Sequence, residues 1–181
     1  MKEKAKIFWA IFIGLIMISS VLGILSAPEE TTYEQTNEYN GKELYRGSNG
    51  LWILEENDVF FYFNNLPDDV ASIEVPQISI NNQKIYFMYD FNESIENVAL
   101  IASKLRQVLH SQGVIVVDAC IKEDGCPDDM PIRDCSNEGF YFKLSENASV
   151  YKEDQCYVLE GNVQEINKEV DKINYIILGV Y

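Results

Sequence analysis

KIYFMYDFNESIENVALIASKLRQVLHSQGVIVVDAC, residues 84 to 120, changes its hydrophobic period twice, and those changes decide the fold. KIYFMYD reads as a strand. Ile95, Val98, Ala99, Ala102, Leu105, Val108 and Leu109 then recur at helical spacing, which gathers them on one helix face. Ser94 is suited to cap the start of that helix and Gly113 to end it. VIVVDAC, 114 to 120, opens on an unbroken apolar run, as expected of a strand covered on both faces. Strand, helix, strand at this spacing predicts a βαβ unit with a right-handed parallel crossover.

Upstream, KELYR at 42 to 46, LWIL at 51 to 54 and VFFYF at 59 to 63 are short β-like runs parted by Gly-Ser-Asn-Gly and Glu-Glu-Asn-Asp, the pattern of an antiparallel meander. VPQISI, 75 to 80, meets QKIYFMYDF across Asn81-Asn82 and reads as a further hairpin. Downstream, FYFKL at 140 to 144 and CYVLEG at 156 to 161 are strand-like. Val163, Ile166, Val170, Ile173, Ile176 and Ile177 make 162 to 178 a closing amphipathic helix. The expected ectodomain is of the α+β class. It has one mixed β-sheet, built from the N-terminal meander and the βαβ unit, covered by two helices and stapled by disulfides.

Ile7 to Ala27 form 21 residues without a charge, enough at about 1.5 Å per residue to cross a hydrocarbon core of about 30 Å. Lys2, Lys4 and Lys6 precede this run and Glu29 and Glu30 follow it, so the positive-inside rule puts the N-terminus in the cytoplasm and the rest outside. A cleaved signal peptide is the competing reading, because Val21-Leu22-Gly23 and Leu25-Ser26-Ala27 end in small residues. The length of the run and Pro28 favour a retained anchor. The expected organisation is a cytoplasmic tail (1–6), a transmembrane helix (7–27), an acidic stalk (28–38) and an extracytoplasmic domain (39–181). The bilayer is then a partner through residues 7–27. A net charge of −15 repels the phosphate backbone, which excludes nucleic acid as an expected partner.

CIKEDGCPDDMPIRDC, 120 to 135, holds Cys120, Cys126 and Cys135, and Cys156 follows. The C-x5-C, C-x8-C and C-x20-C gaps are wrong for a zinc knuckle, and the single histidine, His110, lies on the preceding helix as a partner of its dipole. No C-x-x-C redox motif is present. An even number of cysteines on the oxidising side of a membrane predicts disulfides. Three pairings are open, with a preference for Cys120–Cys126 and Cys135–Cys156. Glu123, Asp124, Asp128, Asp129 and Asp134 lack the alternating spacing of an EF-hand loop and read as solvated charge. No metal and no cofactor is expected.

Asp90 and Asp118 end the two strands of the βαβ unit, at the carboxyl edge where α/β sheets bind ligands. They are the weak catalytic candidates, as a pair that could hold a metal or share a proton, against the plainer reading of turn and loop partners. Asn92-Glu93-Ser94 and Asn147-Ala148-Ser149 are N-x-S sequons, so Asn92 and Asn147 are glycosylation candidates.

YNGKELYRGSNGLWI, NNLPDDVASI, KIYFMYDFNES, VIVVDAC, CPDDMPIRDC and QCYVLEG together resemble a family of uncharacterised archaeal proteins with one N-terminal membrane span and a small Cys-containing outer domain. The resemblance implies an anchored topology at an archaeal cell surface and carries over no activity. The expected function is non-enzymatic: a membrane-anchored extracytoplasmic accessory or interaction domain of the cell envelope, meeting another envelope protein or a glycan. The alternatives are an anchored metal-dependent hydrolase using Asp90 and Asp118, or a structural component of the surface layer.

Overall fold

The computed structural model describes residues 35–93 and 95–181. The tail, the 7–27 span, most of the stalk and the proposed cap Ser94 lie outside the described residues. Among the described residues, no helix is long and apolar enough to cross a membrane.

β1 (Thr36–Tyr39), β2 (Lys42–Arg46), β3 (Trp52–Glu56) and β4 (Val59–Phe63) form a four-stranded antiparallel sheet in sequence order. Asn40-Gly41 and Asn57-Asp58 close the β1–β2 and β3–β4 hairpins, all with positive φ (48° and 75°, 52° and 62°). Asn, Asp and Gly tolerate that conformation, and it matches the twist of the strands. β1 takes in residues 36–38, the end of the expected stalk. Its residues alternate only weakly in burial, and its place is set by pairing with β2 from Thr36↔Tyr45 to Tyr39↔Lys42.

β5 (Lys84–Tyr89), α1 (Glu96–Ser111) and β6 (Ile115–Cys120) form the βαβ unit, with β5 and β6 parallel. Gly113 at φ 80° ends α1, and the Val114 N–H returns to the Leu109 carbonyl. β7 (Gly139–Leu144), β8 (Ser149–Glu153) and β9 (Cys156–Gly161) complete a five-stranded sheet of order β6-β5-β7-β9-β8, parallel except for the edge strand β8. α2 (Val163–Ile177) starts where the Asn162 side chain accepts from the N–H groups of Gln164 and Glu165.

The predicted 75–80 hairpin does not form. β5 has β6 on one side and β7 on the other, both parallel, so it has no free edge for an antiparallel partner. Residues 73–80 instead run without regular secondary structure, with Ile73, Val75, Ile78 and Ile80 packed against the main core. The Tyr157 hydroxyl accepts from the Ser79 N–H (2.7 Å), and the Glu138 carboxylate accepts from the N–H groups of Asn81 and Asn82 (2.7 and 2.9 Å).

The two sheets are also separate, where one mixed sheet was expected. Val98, Ala102, Leu105 and Leu109 of α1 and Ile166, Val170 and Ile173 of α2 pack on Ile85, Phe87, Phe140, Phe142 and Leu159 of the five-stranded sheet. Val108 and Tyr175 face the other way and pack on Leu44, Leu54, Phe61 and Phe63 of the meander. The helices are therefore a middle layer between two sheets. α2 is accordingly buried continuously from Glu169 to Tyr175, as a helix covered on opposite sides must be. Tyr175 stacks on Phe63 at 4.2 Å and donates to the Asn65 carbonyl at 2.6 Å.

Candidate functional site

The carboxyl edge of the parallel strands does not assemble the predicted acid pair. Strand alternation separates the two residues. Asp118 is in register with Phe87 on the helix side, where Arg106 of α1 binds its carboxylate and stands 5.3 Å over the Phe87 ring. Asp90 follows the parity of Met88, on the opposite side of the sheet, and pairs with Lys122 at 2.7 Å. Burial pushes the Asp90 carboxyl up, but the Lys122 ammonium and the Asn92 N–H outweigh it and hold the group below its ordinary range. Each carboxylate has its own cation, and the two are not brought into one site.

The cysteine-rich loop covers part of the five-stranded sheet on the side away from the helices. Cys120 is bonded to Cys126 and Cys135 to Cys156, the pairing preferred from the sequence, and no cysteine is free. The Cys120 N–H bonds to the Pro131 carbonyl and Cys120 bridges to Ile132, so the loop returns alongside β6. Its acids serve local structure: Asp124 accepts from the Asn92 amide at 2.7 Å, and Asp134 accepts from the Ser136 N–H and hydroxyl. Among the described residues, no group of His, Cys, Asp and Glu side chains could hold a metal ion. His110 lies exposed in the last turn of α1.

The sequons differ in what engages them. The Asn92 amide nitrogen, which a glycan would modify, is already donating to Asp124, and its carboxamide lies against Gly125. Asn147 is exposed in the loop leading into β8, and Ser149, also exposed, is the first residue of that strand.

The remaining surface feature is the outer face of the meander, which strand periodicity alone did not single out. Thr36, Glu38, Glu43, Tyr45, Ile53, Glu55, Phe60 and Tyr62 alternate with the buried positions and point away from the helices. Tyr45, Ile53 and Tyr62 form one cross-strand row, and Phe60 and Tyr62 are 42% and 39% exposed. Glu38 stands directly opposite Glu43, with Glu55 continuing the row in register. Like charges placed so cost stability. The basic residues of β2 are on the other face: Lys42 pairs with Glu56 at 2.7 Å and Arg46 lies 5.5 Å over Trp52. Thr36, Glu43, Tyr45, Glu55, Asn57 and Asp58 line an open hollow of about 510 Å³ on the acidic side of this face. An aromatic row beside a row of carboxylates can bind a surface that offers apolar contact and positive charge together.

The chain matches no known family profile, no curated protein and no solved structure.

Proposed function

We propose that this chain is a membrane-anchored, extracytoplasmic interaction domain of the cell envelope, and that the outer face of the meander is its binding surface. The observation that carries the reading is the Tyr45, Ile53, Phe60 and Tyr62 surface beside Glu38, Glu43 and Glu55. Exposed Phe60 and Tyr62 stand on one face with a row of like charges, a combination that costs stability unless a partner covers it. The partner it fits is a protein surface that places Lys or Arg beside an apolar contact. Paired cysteines and the charge-free run at 7–27 support the location, and exposed Asn147 is the sequon open to a glycan.

The test is photo-crosslinking of the full chain in its native membranes, with a photoreactive side chain at position 62 and a control at position 143 on the far sheet. The reading requires a protein adduct from 62 that is weaker with Glu43→Lys and Glu55→Lys together, and none from 143. Equal adducts from both positions, or indifference to charge reversal, would overturn it.

A further inference from the structure

Glu169 has no counterpart in the surfaces described so far. It lies in the buried run of α2, is 2% exposed, and makes no hydrogen bond among the described residues; its Oε2 is wholly enclosed. A buried carboxyl without a partner is costly to the fold. Glu169 lies at the base of a partly open hollow of about 350 Å³, lined also by exposed Ser72, Glu74 and Ala148 and by partly or fully buried Ile73, Val150 and Glu165. Three carboxyls therefore border one space whose other walls include apolar side chains. Gly161 shapes the corner, because a Cβ there would press on the Glu165 Cβ.

The nearby cations leave Glu169 itself unpaired among the described residues, although one of them already meets Glu165 at the edge of this space. Lys168 pairs with Glu165 at 3.1 Å, and Lys172 turns to the Ala71 carbonyl and lies 3.7 Å from the Tyr181 ring centre. The charged groups acting on Glu169 are Glu165 on its own helix and Glu160 of β9, both acidic. The carboxyls are not grouped closely enough to hold a metal ion, whereas an ammonium on an alkyl chain can reach separate acceptors and lay its methylenes on Ile73, Ala148 and Val150. We propose that this hollow is a binding site for a primary alkylammonium group, with Glu169 as the acceptor at its inner end and Glu165 and Glu74 completing the acidic wall.

The same group could arrive on a free diamine or on a lysine side chain of a partner protein. Burial, with Glu165 and Glu160, raises the Glu169 carboxyl to about 9, so it is neutral in the empty site at pH 7 and releases a proton when an ammonium pairs with it.

Isothermal titration of the full chain in detergent tests this, with butane-1,4-diamine and Nα-acetyl-lysine amide as probes and calcium chloride as control. The expected result is saturable diamine binding at pH 7 with proton uptake by the buffer. Glu169→Gln should weaken it by about tenfold or more, Glu165→Gln should weaken it less, and calcium should give no saturable heat. Comparable binding of the acetylated lysine assigns the site to a protein side chain, and diamine binding alone assigns it to a free amine. No saturable binding of either probe, or equal binding by the variants, overturns the proposal. Glu165→Gln lies at a partly exposed position and keeps the test decisive if Glu169→Gln does not fold.

Discussion

Asp171 fastens the end of β4 to α2 through a single oxygen. Its Oδ2 accepts from the N–H groups of Asn64 and Asn65 and from the Asn65 amide at 2.8 to 3.0 Å, and Lys104 approaches Oδ1 at 3.3 Å. The side chain is fully buried, so Asp171→Ala would leave those donors without an acceptor. The expected loss is about 3 kcal/mol or more in denaturant unfolding, and a loss under about 1 kcal/mol would mean water replaces the carboxylate. Glu169 predicts a pH effect of definite sign. The folded chain keeps its proton up to about pH 9, while the unfolded chain releases it above its ordinary 4.5. Between those values the unfolded state binds fewer protons, so stability falls as pH rises, by up to about 1.4 kcal/mol per unit, and levels off above the folded value. Melting curves of Glu169→Gln should lack that share of the slope; parallel curves would contradict the assignment. Neither acid was legible as special in the sequence, because both sit in a pattern that marks one apolar face of α2 and leaves the rest to solvent. The opposite sides taken by Asp90 and Asp118 were legible in principle, since strand parity and a parallel register separate them.

At the scale of elements, β4, β9 and both helices follow from apolar period alone, whereas β1 and β8 do not. Asn40-Gly41 was the available signal for β1, as a two-residue turn of that type needs a strand on each side. The 75–80 segment failed as a strand for a reason outside itself, the occupation of both edges of β5. Gly139 shows how tightly β5 and β7 approach: a Cβ there would collide with the Tyr86 backbone, so Gly139→Ala should cost about 1 to 3 kcal/mol, and an unchanged melting temperature would contradict the geometry. The two disulfides should differ in worth. Cys135–Cys156 spans 21 residues and Cys120–Cys126 spans 6, so loop entropy assigns about 3 kcal/mol to the first and about 2 kcal/mol to the second. Unfolding of the paired Cys→Ser variants measures both, and a larger loss at Cys120–Cys126 would show that the local loop matters more than chain entropy.

For the whole molecule, the layering of sheet, helices and sheet explains why the sequence points to two helices on one sheet. Each helix has an apolar stripe, and the second stripe on α2 is carried by Tyr175 together with buried polar residues that read as a solvent face. The layering also leaves the meander with a face that no element of the described residues covers, and that face is where binding is assigned. The account as a whole rests on this domain lying outside the membrane with its cysteines paired. The direct measurement is labelling of intact native cells with a membrane-impermeant amine reagent, peptide mapping, and alkylation of thiols before reduction. The account predicts label on Lys84, Lys122, Lys143 and Lys152, none on Lys2, Lys4 and Lys6, and no cysteine alkylated. Label on the first six residues alone, or free thiols at Cys120, Cys126, Cys135 and Cys156, would contradict it.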